Sequence, residues 1–426
     1  MKKAVFSVVL CLILILSGCA QRGNELPESS SSPQTTPVQS DSALPSVSVP
    51  VAEAITDSTP PQTSSPPSSS EVTVTPIAVK QANFSSIQGK IKGIYPADGS
   101  KVLVLADQLS LYDLASGKIA ATAQTPTLST IRVLALDSGY AVVGQTISEN
   151  STGGFVLSDS AFQFRAVIYD ENLVLKSEID ISKLVEDGGL LVETEAIAIS
   201  PDGNTLAFAT LQQGIMLYDR VNQKSTKLIA LTGNDDKNNL GLSIIEQIGF
   251  TNNGKSVAFK AQSFDVPAVN NKPSFDTVGT VNIDGSGLTN KKPGGYSPKM
   301  LTSYPSRLLI AEDFKTASGR MMVIDSKTGE QKTHKLSDKK EGGNIYGSDT
   351  GRYFASSVPS RTGWTVRVYE SDTGKLVKEE SISNDGQELY GINDPMICVV
   401  DNAKTCMVLL GHKQAAVSTK VASFSF

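Results

Sequence analysis

From residue 77 to the C-terminus, short apolar runs alternate with clusters of Gly, Asp, Asn and Pro, the pattern of strands joined by tight turns. The clearest unit runs from 195 to 231. AIAIS (196–200) predicts a first strand, PDGN (201–204) a turn and TLAFAT (205–210) a second strand. IMLYD (215–219) predicts a third strand and TKLIAL (226–231) a fourth. Pro presets φ for such a turn and Gly tolerates φ > 0, so the turn has a physical cause.

The unit recurs. Its first-hairpin turn returns at 97–100, 137–140, 201–204, 252–255, 305–307, 349–352 and 401–404. Asp98-Gly99, Asp202-Gly203 and Asn253-Gly254 place Asp or Asn directly before Gly, a strong hairpin signal. Its third strand, an apolar run closing on an acid, returns at Asp113, Asp170, Asp219, Asp284, Asp325 and Glu370. One four-stranded sheet per repeat, arranged radially, predicts an all-β fold: a β-propeller over 77–426, with seven blades as the favoured count and six or eight as the alternatives. The last run, VASFSF (421–426), has no strand after it, and IAVKQANF (77–84) precedes the first repeat. The N- and C-terminal strands are therefore expected to close the ring in one shared blade, which removes an exposed edge. A β-sandwich, or two smaller β domains, is the competing architecture. IAISPDGNTLAFAT (197–210) and VNIDGSGLTN (281–290) resemble repeats of bacterial propellers of the TolB-like and WD type. These motif residues are turn formers, so the resemblance implies a fold and not a function.

The N-terminus follows another pattern. Lys2 and Lys3 precede thirteen apolar residues (4–16), too few to span a bilayer comfortably, where about 20 are needed. This is the layout of a signal peptide. Leu16-Ser17-Gly18-Cys19 then resembles the lipobox of bacterial lipoproteins. That resemblance implies a signal peptide over 1–18, cleavage before Cys19, and lipid attachment at the Cys19 thiol. Two acyl chains give stable membrane anchoring where one is marginal.

Of the 49 residues from Glu28 to Pro76, 30 are Ser, Thr or Pro, and no aromatic lies between Phe6 and Phe84. Such a stretch cannot bury enough apolar surface to offset its ordering entropy, so 19–76 is expected to be a disordered tether. It would span roughly 40 Å as a coil and about 150 Å fully extended.

Charge sharpens the division. Residues 28–76 hold five acids and no Lys or Arg, and residues 1–27 carry a net +2. The total of −5 therefore leaves −2 for 77–426. A near-neutral domain argues against nucleic acid, whose phosphates require a basic surface.

Candidate chemistry is sparse. The only histidines are His334, in a predicted outer strand, and His412, in a loop. No GxSxG, phosphate loop or dinucleotide fingerprint occurs, so no cofactor, no metal site and no catalytic residue is assigned. Cys398 and Cys406 flank the turn at 401–404. An odd-membered loop centred on Asn402 would set them opposite each other for a possible disulfide, whereas an even loop would leave two buried thiols. The oxygen-rich loop at 233–239 and the repeated strand-end acids read as solvated turns rather than calcium ligands. Inserts at 147–162 and 263–276, with Phe155, Phe162 and Phe264, lengthen two repeats and are candidate contact loops.

The expectation is a monomeric binding or scaffolding propeller, lipid-anchored at the cell membrane and facing outside the cytoplasm. Its partner would be an envelope protein, peptide or glycan. The alternative is an enzyme that uses acidic residues in the central funnel, for example on carbohydrate.

Overall fold

The structure, a computed structural model, describes residues 83–426 except 127, 148–161, 186–190, 192–193, 212, 232–237, 239, 241–242, 264–274, 292–297, 303–306, 313–319, 326–329, 337–343, 361–362, 384–394 and 412–418. The expected signal peptide and tether lie outside these residues.

The described residues form seven antiparallel sheets, each built from strands consecutive in the chain. Sheet 1 comprises Gly93–Pro96, Lys101–Leu105, Gln108–Asp113 and Lys118–Gln124. Sheet 2 comprises Ser129–Leu136, Gly139–Ile147, Phe162–Asp170 and Leu175–Asp180. Sheet 3 is Ile197–Ile199, Thr205–Thr210, Gly214–Asp219 and Lys224–Ile229. Sheet 4 is Ser243–Thr251, Ser256–Ser263, Phe275–Asn282 and Thr289–Lys291. Sheet 5 is Pro298–Thr302, Arg307–Glu312, Arg320–Asp325 and Gln331–Lys335. Sheet 6 is Asn344–Gly347, Tyr353–Ser360, Gly363–Glu370 and Leu376–Ser383. Sheet 7 has three strands among the described residues: Met396–Val400, Thr405–Leu410 and Lys420–Ser425. Among the described residues, the predicted first-hairpin turns join the first and second strands of sheets 1 to 4, 6 and 7, whereas that of sheet 5 (305–307) falls mostly outside them.

Burial explains the sequence pattern. Second strands such as Leu206–Thr210 and Thr405–Leu410 are buried along their length, because each sheet is covered on both faces by its neighbours. Outer strands such as Lys118–Gln124 alternate between exposed and partly buried positions. Hydrophobic cores fill the seams between sheets 1 and 2, 2 and 3, 3 and 4, 5 and 6, and 6 and 7. A further core joins Ile94, Val102, Val104 and Tyr112 of sheet 1 to Cys398, Met407 and Leu409 of sheet 7, so the last sheet packs on the first. Each fully buried large side chain here, Phe208 and Phe259 among them, contributes about 2–3 kcal/mol. This is a β-propeller.

The expected closure by 77–84 falls mostly on residues outside the described set. Its last two residues, Asn83 and Phe84, are not in a strand. Phe84 instead packs its ring 4.9 Å from that of Tyr112, whose hydroxyl donates to the Asn83 carbonyl at 2.9 Å. This contact seals the seam between sheets 1 and 7.

Candidate functional site

Cys19 and the insert residues Phe155 and Phe264 lie outside the described residues, as does the side chain of Phe162. Four of the strand-end acids act as turn formers, and the side chain of Asp325 lies outside the described residues. Asp113 accepts from the Ala115 N–H, Asp170 from those of Asn172 and Val174, Asp219 from those of Val221 and Asn222, and Asp284 from that of Ser286. From the loop at 233–239 only Asn238 is described, and it has a structural task. Its amide donates to the carbonyls of Leu228 and Gly285, tying sheet 3 to sheet 4. Among the described residues, no three His, Cys, Asp or Glu side chains converge as metal ligands do.

The possible disulfide is not formed, and Cys398 and Cys406 are free, buried thiols. The loop between them is even, with Val400 paired to Thr405, so Cys398 stands opposite Met407 and Cys406 opposite Val399. Alternation along a strand then sends the two side chains to opposite faces. Cys398 enters the core shared with sheet 1 and Cys406 the core shared with sheet 6. Burial pushes both thiols up, which keeps them protonated and inert.

Two polar clusters break the otherwise apolar packing. The first lies where the turn of sheet 6 meets that of sheet 7. Asp349 and Asp401 begin these two turns and are 7% and 6% exposed. The Asp401 N–H donates to Asp349 Oδ1 at 2.8 Å, and the Thr350 hydroxyl donates to Asp401 Oδ2. Burial, reinforced by the charge of Asp401, pushes the Asp349 carboxyl up to about 7. Burial also raises Asp401, against the pull of hydrogen bonds and of Lys404. Beside the pair, the Lys404 ammonium lies 3.8 Å from the Tyr353 ring centroid and 5.3 Å from that of Phe426. Both carboxylates are closed off from solvent and engaged in turn hydrogen bonds, so this cluster fastens two sheets and presents no acid to a substrate.

The second cluster borders the propeller axis, which the first strand of each sheet lines. In sheet 2 the pairing of the first strand slips between Ser129 and Arg132, and in sheet 4 between Ile245 and Gln247. Such bulges re-aim side chains and are frequent beside functional sites. In sheet 3 a single 3-10 turn, Thr194–Ala196, precedes the first strand and carries Glu195. Arg132 reaches across the seam, its Nη1 donating to the carbonyls of Glu195 at 3.1 Å and Ile197 at 2.9 Å. Glu195 accepts from the Thr194 hydroxyl at 3.1 Å. Burial lowers Arg132 while the Glu195 charge opposes that shift. The Tyr95 phenol of sheet 1 is raised by burial and then by Glu195. In sheet 4 Lys260 pairs with Glu246, with side chains 12% and 27% exposed. The carbonyl oxygen of the neighbouring Gln247 amide is buried without a partner.

Arg132, Glu195, Glu246 and Gln247 all sit in the leading half of their first strands or just before it, at the end of the sheets opposite the first-hairpin turns. Ile147 pairs with Phe162, and Ser263 with Phe275, at this same end. The two inserts therefore leave the scaffold from the face on which the cluster opens. Sequence reading missed this cluster. Its members are scattered over 129 residues, from 132 to 260, and its only local signal is a charged residue within or beside an otherwise apolar first strand.

No protein-family model matches the chain, and no curated protein matches it. Among solved structures, the Cps50 (Swd1) β-propeller domain of Myceliophteria thermophila is similar over 80% of this chain and 97% of its own, at 10% identity and a TM-score of 0.50. Kuenenia stuttgartiensis hydrazine synthase matches over 83% of this chain and 99% of its own, at 13% identity and a TM-score of 0.45. Likeness at such low identity concerns the fold alone, and on it this chain is a β-propeller.

Proposed function

We propose that this protein is a lipoprotein of the bacterial cell envelope, anchored through Cys19, whose propeller binds an extracytoplasmic protein, peptide or glycan without transforming it. The observation that carries the binding role is the second cluster. It gathers partly buried polar side chains from three adjacent sheets, 2 to 4, at one end of a rigid scaffold. The signal-peptide pattern, the lipobox-like LSGC and the Ser/Thr/Pro-rich 19–76 segment support the anchored, outward-facing location. The near-neutral domain supports a partner other than nucleic acid.

The test uses intact cells fed radiolabelled palmitate. Wild-type chain is expected to carry label and fractionate with membranes, and Cys19→Ala to lose both. Label on the variant would defeat the anchoring assignment. Cross-linking from the same cells should capture a partner with anchored chain and not with Cys19→Ala. The competing enzymatic reading draws on Glu195 and Glu246, two carboxylates at the same end of neighbouring sheets. Turnover of ester, glycoside or peptide substrates by purified chain would establish it and end the non-catalytic one.

A further inference from the structure

The second cluster also constrains what it can bind. Its charges balance: Arg132 and Lys260 are cationic, and Glu195 and Glu246 are anionic. An anionic ligand would face two carboxylates, and a cationic one would face a guanidinium and an ammonium. A neutral ligand meets neither penalty. The groups also differ in hydrogen-bonding sense. Gln247 Oε1 is a buried acceptor without a partner, and such a group is destabilising until a donor reaches it. Carboxylates accept only, while guanidinium and ammonium donate only. A matching ligand must therefore donate and accept at closely spaced points.

Two neutral ligand classes do this: a polyhydroxylated sugar and a peptide backbone. An extended peptide binds by adding to a regular strand edge. Here the first strands of sheets 2 and 4 are bulged at the cluster, and sheet 3 has a 3-10 turn there. Regular main-chain pairing is thus interrupted where the polar side chains gather. Each sugar hydroxyl carries its own donor and acceptor and needs no such ladder.

We propose that the axial end of sheets 2 to 4, with Arg132, Glu195, Glu246, Gln247 and Lys260, is a binding site for a neutral oligosaccharide. Gln247 and Glu195 accept from sugar hydroxyls. Lys260 holds the Glu246 carboxylate in place, and Arg132 fixes the Glu195 turn through its carbonyls. The proposal rests on the binding-module reading above and names the ligand class and the site within it.

The experiment is titration calorimetry on the purified full chain with cellotetraose, maltotetraose and tetra-N-acetylchitotetraose. Acetyl-tetra-alanine-amide serves as the neutral peptide probe. At least one tetrasaccharide should bind with a Kd at or below about 1 mM, in the range of modest saccharide affinities. The near-isosteric changes Glu195→Met and Gln247→Met, which remove the accepting oxygen, should each weaken it about tenfold, the loss of one good hydrogen bond. Asp349→Asn, remote in the turn of sheet 6, should leave it unchanged. Thermal melting of each variant separates lost binding from lost folding. The proposal is overturned if no tetrasaccharide binds, if both near-isosteric variants bind as wild type, or if the peptide probe binds in place of the tetrasaccharides. Those results leave the lipid anchor and any cross-linked partner untouched. Release of reducing ends from a bound probe would keep the site and end the non-catalytic reading.

Discussion

Asp349 offers a direct test of the packing between sheets 6 and 7. Its carboxyl is 7% exposed and is pushed from an ordinary 3.8 up to about 7, chiefly by burial and then by Asp401. The folded state therefore holds a proton that the unfolded chain has released. Stability is fully present below about pH 4 and falls as pH rises towards 7, because folding binds a proton across that window. About three pKa units correspond to roughly 4 kcal/mol, shared with Asp401 as a coupled pair. Between about pH 4.5 and 7 the expected loss is roughly 3 kcal/mol. A domain of about 350 residues has an unfolding entropy near 0.7 kcal/mol/K, so the loss moves Tm by about 4 °C. Asp349→Asn keeps an acceptor for the Asp401 N–H without the charge. Thermal melts followed by circular dichroism at half-unit pH steps should show a falling Tm for wild type and a flatter profile for the variant, which should be the more stable at pH 8. The Asp170 and Asp219 carboxylates, held low by the Lys176 ammonium and the Asn222 N–H respectively, lose their contribution only as pH falls below the ordinary carboxylate range, outside this window. Parallel profiles, or a variant less stable than wild type at pH 8, would refute the reasoning.

Four further outcomes are expected. Removing Phe426 takes away its ring contact with Tyr353 at 5.1 Å, its cover over Lys404 and its N–H bond to the Lys404 carbonyl, and should cost about 2–4 kcal/mol in urea denaturation; a loss under about 0.5 kcal/mol would show that the C-terminus is not a fastening. Cys398 and Cys406 should resist iodoacetamide in the native chain and react fully on denaturation without reductant, as read by peptide mass spectrometry; protection that only a reductant lifts would reveal a disulfide. Gly214→Ala should destabilise by about 2–4 kcal/mol, because Gly214 has φ +93° and an added Cβ would lie 2.0 Å from the Ile229 carbonyl oxygen; a neutral melt would contradict that geometry. Deleting 77–84 removes Phe84 from the seam of sheets 1 and 7, together with the proposed fourth strand of sheet 7, and should lower Tm by several degrees; an unchanged melt would dismiss that strand.

The repeat of turns and apolar runs determined the fold by itself. PDGN at 201–204 lies between two strands as read, and so do the other turns of sheets 1, 2, 4, 6 and 7, because Gly, Pro and Asp act locally on φ. The continuous apolar second strands, TLAFAT and TCMVLL, are buried along nearly their whole length, as sheets covered on both faces require. The LSGC motif and the Ser/Thr/Pro-rich stretch are likewise local patterns, and the anchor and tether proposed from them rest on sequence alone. What the sequence left open were matters of register and of distance across seams. Cys398 and Cys406 could be placed on one face or on two until the loop at 401–404 was known to be even, since one residue more or less inverts every side chain that follows. Asp349 and Asp401 read as ordinary turn acids. They became a buried pair only because sheets 6 and 7 bring two turns 52 residues apart into hydrogen-bond contact. The same holds for Arg132, Glu195 and Gln247, whose common end of the axis is set by two bulges and a 3-10 turn. Local conformational preference is written into each residue, whereas a site depends on burial and on approach between distant strands, and these exist only once the sheets have packed.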